Sequence, residues 1–161
     1  KLILGEPDGS KSARVEAFVA AFGKPAAPQI VVSDNIRRDI WLKLWGNMTM
    51  NPLSVLTGAT TLQMLSDPDV CALVRAMMIE MQEIGTKIGL PIPLTPEDRM
   101  AITRKLGDIK TSMLRDWEAG RELEIAPILG VLAEIARQVN APAPFLHAVL
   151  GLLRLRAGIE S

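Results

Sequence analysis

The sequence predicts a mainly helical domain that follows a short strand–helix–strand segment. From residue 34 onward, apolar residues recur at helical spacing and prolines mark the turns between segments. Before that point, two short apolar runs flank a single helical pattern. The 161 residues are 48% hydrophobic and 22% charged, which is typical of a globular chain with a core of its own.

Residues 1–33 predict two short strands and one helix. The runs at 2–4 and 30–32 are apolar and rich in β-branched residues, and residues 12–22 have helical spacing. Two strands bury too little surface to form a stable sheet by themselves. Because the first residue is also not Met, we expect this segment to be the end of an α/β domain and the chain to be part of a longer protein.

Residues 34–161 predict a compact bundle of six or seven helices with short connections. Ser33 or Asp34 can cap the first helix, and Pro52 predicts an interruption with Asn51 as the N-cap of a new helix. The helix after Asp67 has a methionine-rich inner face, which we interpret as core. Further helices are predicted over 96–107, 108–119, 127–139 and 144–157.

The composition excludes several classes of function. The 18 basic and 18 acidic residues balance, so nothing favours binding to nucleic acid or to an anionic membrane. With one cysteine and one histidine, the chain has neither an internal disulfide nor a Cys/His zinc site, and we predict no metal. Residues 44–66 are uncharged but too polar for a membrane span. We expect a cytoplasmic protein in which Cys71 is packed and His147 has no ligand role.

One helical stretch, residues 39–58, combines an apolar surface with an unusual polar stripe. Lys43, Asn47 and Asn51 lie four residues apart and therefore share one face of the helix. Because the rest of the stretch is largely apolar, we expect the helix to be buried, so Lys43 must extend to solvent, find a partner or lower its pKa. Two interpretations remain open from the residues alone. Either Lys43 extends its ammonium to solvent, or it donates a proton beside amides that hold a substrate.

The same stretch resembles the start of the helical domain of the ketopantoate reductase (2-dehydropantoate 2-reductase) family. That family has a W-x-K-L-x-x-N-x-x-x-N-P-L-S-x-L-T run, which is matched here from Trp41 to Thr57. A second family segment, S-M-x-x-D-x-x-x-G-R-x-T-E-I-D, is matched from Ser112 to Ile125. Leu123 replaces the usual Thr, and Ala126 replaces an Asp that would cap the next helix.

The resemblance implies a role for five residues. Lys43 would be the general acid that protonates the ketone oxygen, and Glu124 would set the state of that lysine and hold substrate. Glu124 would also make a weak contact to the cofactor. Asn47, Asn51 and Ser112 would orient the hydroxyl and carboxylate of the substrate.

The resemblance also implies a fold and a reaction. Residues 34–161 would form a helical domain of the 6-phosphogluconate-dehydrogenase-like type, and residues 1–33 the end of a Rossmann domain. NADPH would bind mainly to the part of that domain outside this sequence, because the chain has no G-x-G-x-x-G run. The whole protein would reduce 2-dehydropantoate to pantoate, a step of pantothenate biosynthesis, or would reduce a related 2-keto acid. The chain alone is expected to be inactive.

A different class of function remains open. The high apolar content with few aromatic residues also suits a helical dimerisation or interaction module without catalysis. A homodimer is compatible with both interpretations.

Overall fold

A computed structural model describes residues 2–22 and 29–159 of the chain. The chain divides into two compact units, Lys1–Lys43 and Leu44–Ser161. The domain boundary predicted between residues 33 and 34 stays a prediction.

The first unit contains the predicted strand–helix–strand segment. Strand β1 (Leu2–Leu4), helix α1 (Ala13–Ala21) and strand β2 (Ile30–Val32) follow one another, and the two strands pair in parallel with Leu2 opposite Ile30. Ser12 caps α1, because its hydroxyl accepts a hydrogen bond from the Val15 backbone N–H at 3.3 Å. In the described residues the sheet has only these two strands, which confirms the small sheet expected from the sequence.

Helix α2 (Ile36–Thr57) corrects two expectations from the sequence. Asn35 caps it instead of Ser33 or Asp34, since the Asn35 side chain accepts from the Arg38 N–H at 3.1 Å. Pro52 lies inside the helix, so Asn51 is not an N-cap. Met48 and Val55 are fully buried on either side of this proline. Their packing outweighs the cost of a proline in a helix interior, about 3 kcal/mol.

The second unit is a helical bundle, as predicted. The described residues contain seven α-helices from α2 onward, in agreement with the expected six or seven. After α2 they are α3 (Thr61–Ser66), α4 (Pro68–Lys87), α5 (Pro96–Lys105), α6 (Ser112–Glu118), α7 (Val131–Gln138) and α8 (Pro144–Ala157). A π-helical turn (Ala126–Gly130) precedes α7, so the helix predicted over 127–139 begins with a wider turn. Helix α3 was not predicted, although Thr60 and Gln63 form a capping box at its start.

Helix α4 lies at the centre of the bundle and contacts α3, α5, α7 and α8. Five residues of its inner face are fully buried, and the three methionines among them were expected to be core: Val74, Met77, Met78, Met81 and Ile84. Asp67 caps the helix as expected, with its carboxylate accepting from the backbone of Asp69 and Val70. The Trp45 indole N–H donates to the Met78 carbonyl at 2.9 Å, which ties α2 to α4 inside the core.

Three further observations concern the excluded classes of function. Cys71 is half-buried with its sulfur 3.7 Å from that of Met100, and His147 is exposed. Among residues 2–22 and 29–159, no helix has both the length and the hydropathy that crossing a bilayer requires. In the same ranges, no cluster of His, Cys, Asp and Glu is arranged to hold a metal ion.

Candidate functional site

Helix α2 carries three of the predicted site residues in a single register. Because the helix is continuous through Pro52, Lys43, Asn47 and Asn51 follow one another at four-residue steps. Asn51 is 5% exposed and Asn47 is half-buried. Lys43 is exposed, as expected if its ammonium extends to solvent. The neighbouring tryptophans occupy the buried face, and the long lysine stem leaves its ammonium at the surface.

Lys43 lines a cavity of about 420 Å³ in the first unit. The other residues of its lining are Leu2, Ile3, Ile36, Asp39 and Ile40. The Asp39 carboxylate accepts a hydrogen bond from the Ser33 hydroxyl at 2.5 Å, which fixes its position. The cavity therefore presents one ammonium and one held carboxylate on a largely apolar wall.

A second cavity, of about 190 Å³, lies within the second unit. Its lining contains all three residues predicted to bind substrate, Asn47, Asn51 and Ser112. The remaining lining residues are Gly46, Met50, Thr61, Arg99, Thr103, Leu106, Ile109, Lys110 and Thr111. Residues far apart in sequence thus provide two carboxamides and a hydroxyl to one concave surface. Such groups can hold a hydroxy acid or keto acid by hydrogen bonds without adding a competing proton donor.

Backbone and hydroxyl groups place Ser112 at the edge of this cavity. Ser112 is the first residue of α6, and Thr111 caps that helix by accepting from the Leu114 N–H at 3.1 Å. The cap residue is buried, whereas Ser112 is exposed. The cap therefore holds the start of α6 and leaves the Ser112 hydroxyl free to meet a ligand.

Arg99 is a cavity residue that the sequence did not reveal. It lies on α5, it is half-buried, and its Nη1 donates to the Thr103 hydroxyl at 3.2 Å. Burial lowers the pKa of the guanidinium below its ordinary value. An arginine in a polar helix ordinarily indicates a solvated face, so the sequence contains no signal that would single this one out.

Glu124 lies apart from both cavity linings. It is exposed in the segment 121–124, between α6 and the π-helical turn. Within the described part of the chain its carboxylate forms no ion pair within 4.0 Å. Its predicted role beside Lys43 stays a prediction.

The helical fold is shared with known oxidoreductases. The family described as "Ketopantoate reductase PanE/ApbA C terminal" matches residues 35–157. The chain belongs to this ketopantoate reductase family.

Individual relatives agree with this assignment. A 2-dehydropantoate 2-reductase of Mesorhizobium japonicum is 42% identical over 98% of this chain and 48% of its own length. The crystal structure of 2-dehydropantoate 2-reductase from Methylococcus capsulatus is 37% identical, with a TM-score of 0.87 over 95% of this chain and 53% of that one. A dimeric ketopantoate reductase of Staphylococcus aureus shares the fold at 23% identity, with a TM-score of 0.83 over 98% of this chain and 55% of that one. The chain spans about half the length of the curated relatives it matches.

Proposed function

We propose that the chain is the C-terminal part of an NADPH-dependent reductase that converts 2-dehydropantoate to pantoate or reduces a closely related 2-keto acid. One observation carries the proposal. Asn47, Asn51 and Ser112 line one cavity, and Lys43 precedes the two asparagines on helix α2. Support also comes from the family to which the chain belongs and from relatives named 2-dehydropantoate 2-reductase.

Lys43 acts as the general acid in this proposal. Reduction of a ketone places negative charge on its oxygen, and an ammonium stabilises that charge and then donates the proton that completes the hydroxyl. The exposed position of Lys43 suits this role, because an ammonium in contact with solvent can recover its proton from water after it has donated it. Glu124 would help to hold the ammonium in its charged form.

The polar groups of the second cavity orient the substrate. The carboxamides of Asn47 and Asn51 can each donate and accept, so they can hold the hydroxyl and one carboxylate oxygen. The Ser112 hydroxyl would complete the set from α6. Fixing the substrate in this way lowers the entropic cost of the reaction.

The residues present fit the substrate better than they fit NADPH, which would supply the hydride. The turn after β1 contains Gly5 and Gly9, but it lacks the glycine spacing that lets a backbone approach a pyrophosphate. In the described residues the sheet has two strands only. We therefore assign most of the NADPH contacts to an N-terminal Rossmann domain outside this sequence, and we expect this chain alone to be inactive.

An interaction module remains the second candidate, and one observation favours it. Helix α8 exposes large apolar side chains, with Phe145 46%, Leu152 56% and Leu155 80% exposed. A homodimer would cover such residues, and one relative is described as dimeric. Sedimentation of the isolated chain tests this function: a dimer without nucleotide affinity favours the module for the chain by itself.

A fusion protein tests the reductase function directly. The N-terminal half of the Mesorhizobium japonicum relative, which this chain does not cover, would be joined to residues 1–161. The fusion should oxidise NADPH when 2-dehydropantoate is added, and the chain alone should not. A folded fusion that binds NADPH but reduces no 2-keto acid would contradict the proposal.

The cellular location is a further part of the proposal. A single free thiol at Cys71 and a reaction that consumes NADPH both suit a reducing compartment. We therefore propose that the protein works in the cytoplasm.

A further inference from the structure

We propose that Arg99 binds the carboxylate of the substrate and so selects 2-keto acids over neutral ketones. This inference rests on the proposed function, and it adds a residue that neither the sequence motifs nor the spacing of the stripe indicates. It comes from the position of the guanidinium in the second cavity.

The guanidinium of Arg99 lies close to the backbone of α2 at Gly46. A Cβ atom added to Gly46 would lie 2.1 Å from Nη2, 2.8 Å from Cζ and 3.0 Å from Nε of Arg99. No side chain larger than hydrogen fits between them at this distance. The glycine therefore admits the guanidinium to the cavity wall, next in sequence to Asn47.

The charge of Arg99 has no acidic partner in the described part of the chain. Its only side-chain hydrogen bond there goes to the neutral Thr103 hydroxyl, and no carboxylate lies within 4.0 Å. The cavity lining contains no Asp or Glu. Its other cation, Lys110, is paired with Glu118 at 2.6 Å. Within the described residues, the cavity thus holds one half-buried cation without a counter-ion.

A substrate carboxylate supplies the missing charge. Arginine has five N–H donors in a planar fork that matches the two oxygens of a carboxylate, and only one donor is used within the described residues. The burial that lowers the pKa of Arg99 also strengthens a hydrogen-bonded pair with an anion. When Arg99 binds the carboxylate, Asn47 and Asn51 remain available for the hydroxyl, because each carboxamide can both donate and accept a hydrogen bond.

Titration of the chain with pantoate and with its carboxamide, pantoamide, tests the inference. Binding would be followed by proton–nitrogen correlation NMR of the 161-residue chain. Arg99→Ala should weaken pantoate binding by about 10- to 100-fold, the range for losing a hydrogen bond to a charged group. Pantoamide binding should change less than about threefold. Arg99→Lys should recover only part of the affinity, since an ammonium lacks the fork.

Two further variants separate this role from a structural one. Lys105→Ala removes one exposed positive charge from the same helix and should leave pantoate binding unchanged. Gly46→Ala inserts a methyl group where the guanidinium lies. It should leave the fold intact, because only the flexible end of Arg99 must move, and it should reproduce the loss of pantoate binding.

The outcomes also separate this inference from the proposed function. Pantoate affinity that is equal in wild type and Arg99→Ala, or no pantoate binding by the chain, would overturn the role of Arg99 even if the fusion enzyme is active. A selective loss of pantoate over pantoamide supports that role even if the fusion reduces no 2-keto acid, and only the proposed function would then fail.

Discussion

The hydroxyl oxygens of Ser54 and Thr111 lie 2.6 Å apart in the buried interior of the helical unit. Ser54 donates to the Asn51 carbonyl at 2.7 Å, so the proton between the two hydroxyls comes from Thr111. The Thr111 oxygen in turn accepts from the Leu114 N–H at 3.1 Å. This hydrogen-bonded chain joins α2 at Asn51 to the start of α6, where Ser112 lies.

Thr111→Val should destabilise the helical unit by about 2 kcal/mol. The substitution preserves the shape of the side chain but removes both the helix cap and the bond to Ser54. Chemical denaturation measures the loss. As a control, Thr86→Val removes an exposed hydroxyl that donates to the Gln82 carbonyl at 2.9 Å, and it should cost less than about 0.5 kcal/mol. If the two variants lose the same free energy of unfolding, Thr111 does not hold the start of α6 in place.

Glu80→Gln should also destabilise the bundle by about 2 kcal/mol. Glu80 is 7% exposed, and its two oxygens accept from the backbone N–H groups of Phe145 and Leu146 at 2.8 and 2.9 Å. The carboxylate therefore caps α8, which has no side-chain cap of its own. A carboxamide keeps one acceptor but turns N–H donors toward the second backbone N–H.

Glu83→Gln is the matched control for Glu80, on the same helix. Glu83 is exposed and lies 3.6 Å from Lys87. Loss of the Glu83 charge should change the free energy of unfolding by less than about 0.5 kcal/mol. A loss at Glu80 no larger than this would show that α8 does not depend on the carboxylate cap.

The first unit should lose stability as the pH falls from about 4.5 towards 2. Hydrogen bonds from Arg14 and Ser12 lower the pKa of Glu6 from 4.5 to about 2 in the folded chain. A carboxyl whose folded pKa is depressed stabilises the fold above its unfolded pKa, and this contribution disappears through the folded pKa. NMR titration of the Glu6 side chain measures its pKa in the folded chain, on which this expectation depends.

Arg14→Ala should move the Glu6 pKa back towards 4.5, because Arg14 is the largest cause of the shift. Arg38→Ala is the control, since Arg38 instead pairs at 3.6 Å with the exposed Asp34. A Glu6 pKa near 4.5 in the wild-type chain would refute the account of this turn.

The sequence predicts most of the fold because its signals are local. Proline after Asp67, Thr95 and Ala143 marks three helix starts that the structure confirms. The local rule failed at Pro52, where tertiary packing of buried neighbours outweighs the intrinsic cost of proline.

The site was predicted less completely, because contacts between distant segments have no periodicity. The stripe on α2 follows from helical spacing, and Ser112 could be placed only through its family motif. Arg99 joins the cavity through its contact with Gly46, 53 residues earlier in the sequence, which no local pattern encodes. Spacing alone left open whether the ammonium of Lys43 reaches solvent, because it does not show how far a long stem extends, and the structure shows that Lys43 is exposed.

The turnover number of Lys43→Ala in the fusion enzyme tests the central claim most directly. If Lys43 protonates the nascent alkoxide, kcat should fall by about 10²–10⁴-fold, the range for losing a general acid, while NADPH affinity hardly changes. Lys43→Arg should not restore activity, because a guanidinium stays protonated near neutral pH and is a poor proton donor. Retention of more than about a third of wild-type kcat by a well-folded Lys43→Ala enzyme would contradict the general-acid role, since a lost proton donor should cost at least about tenfold.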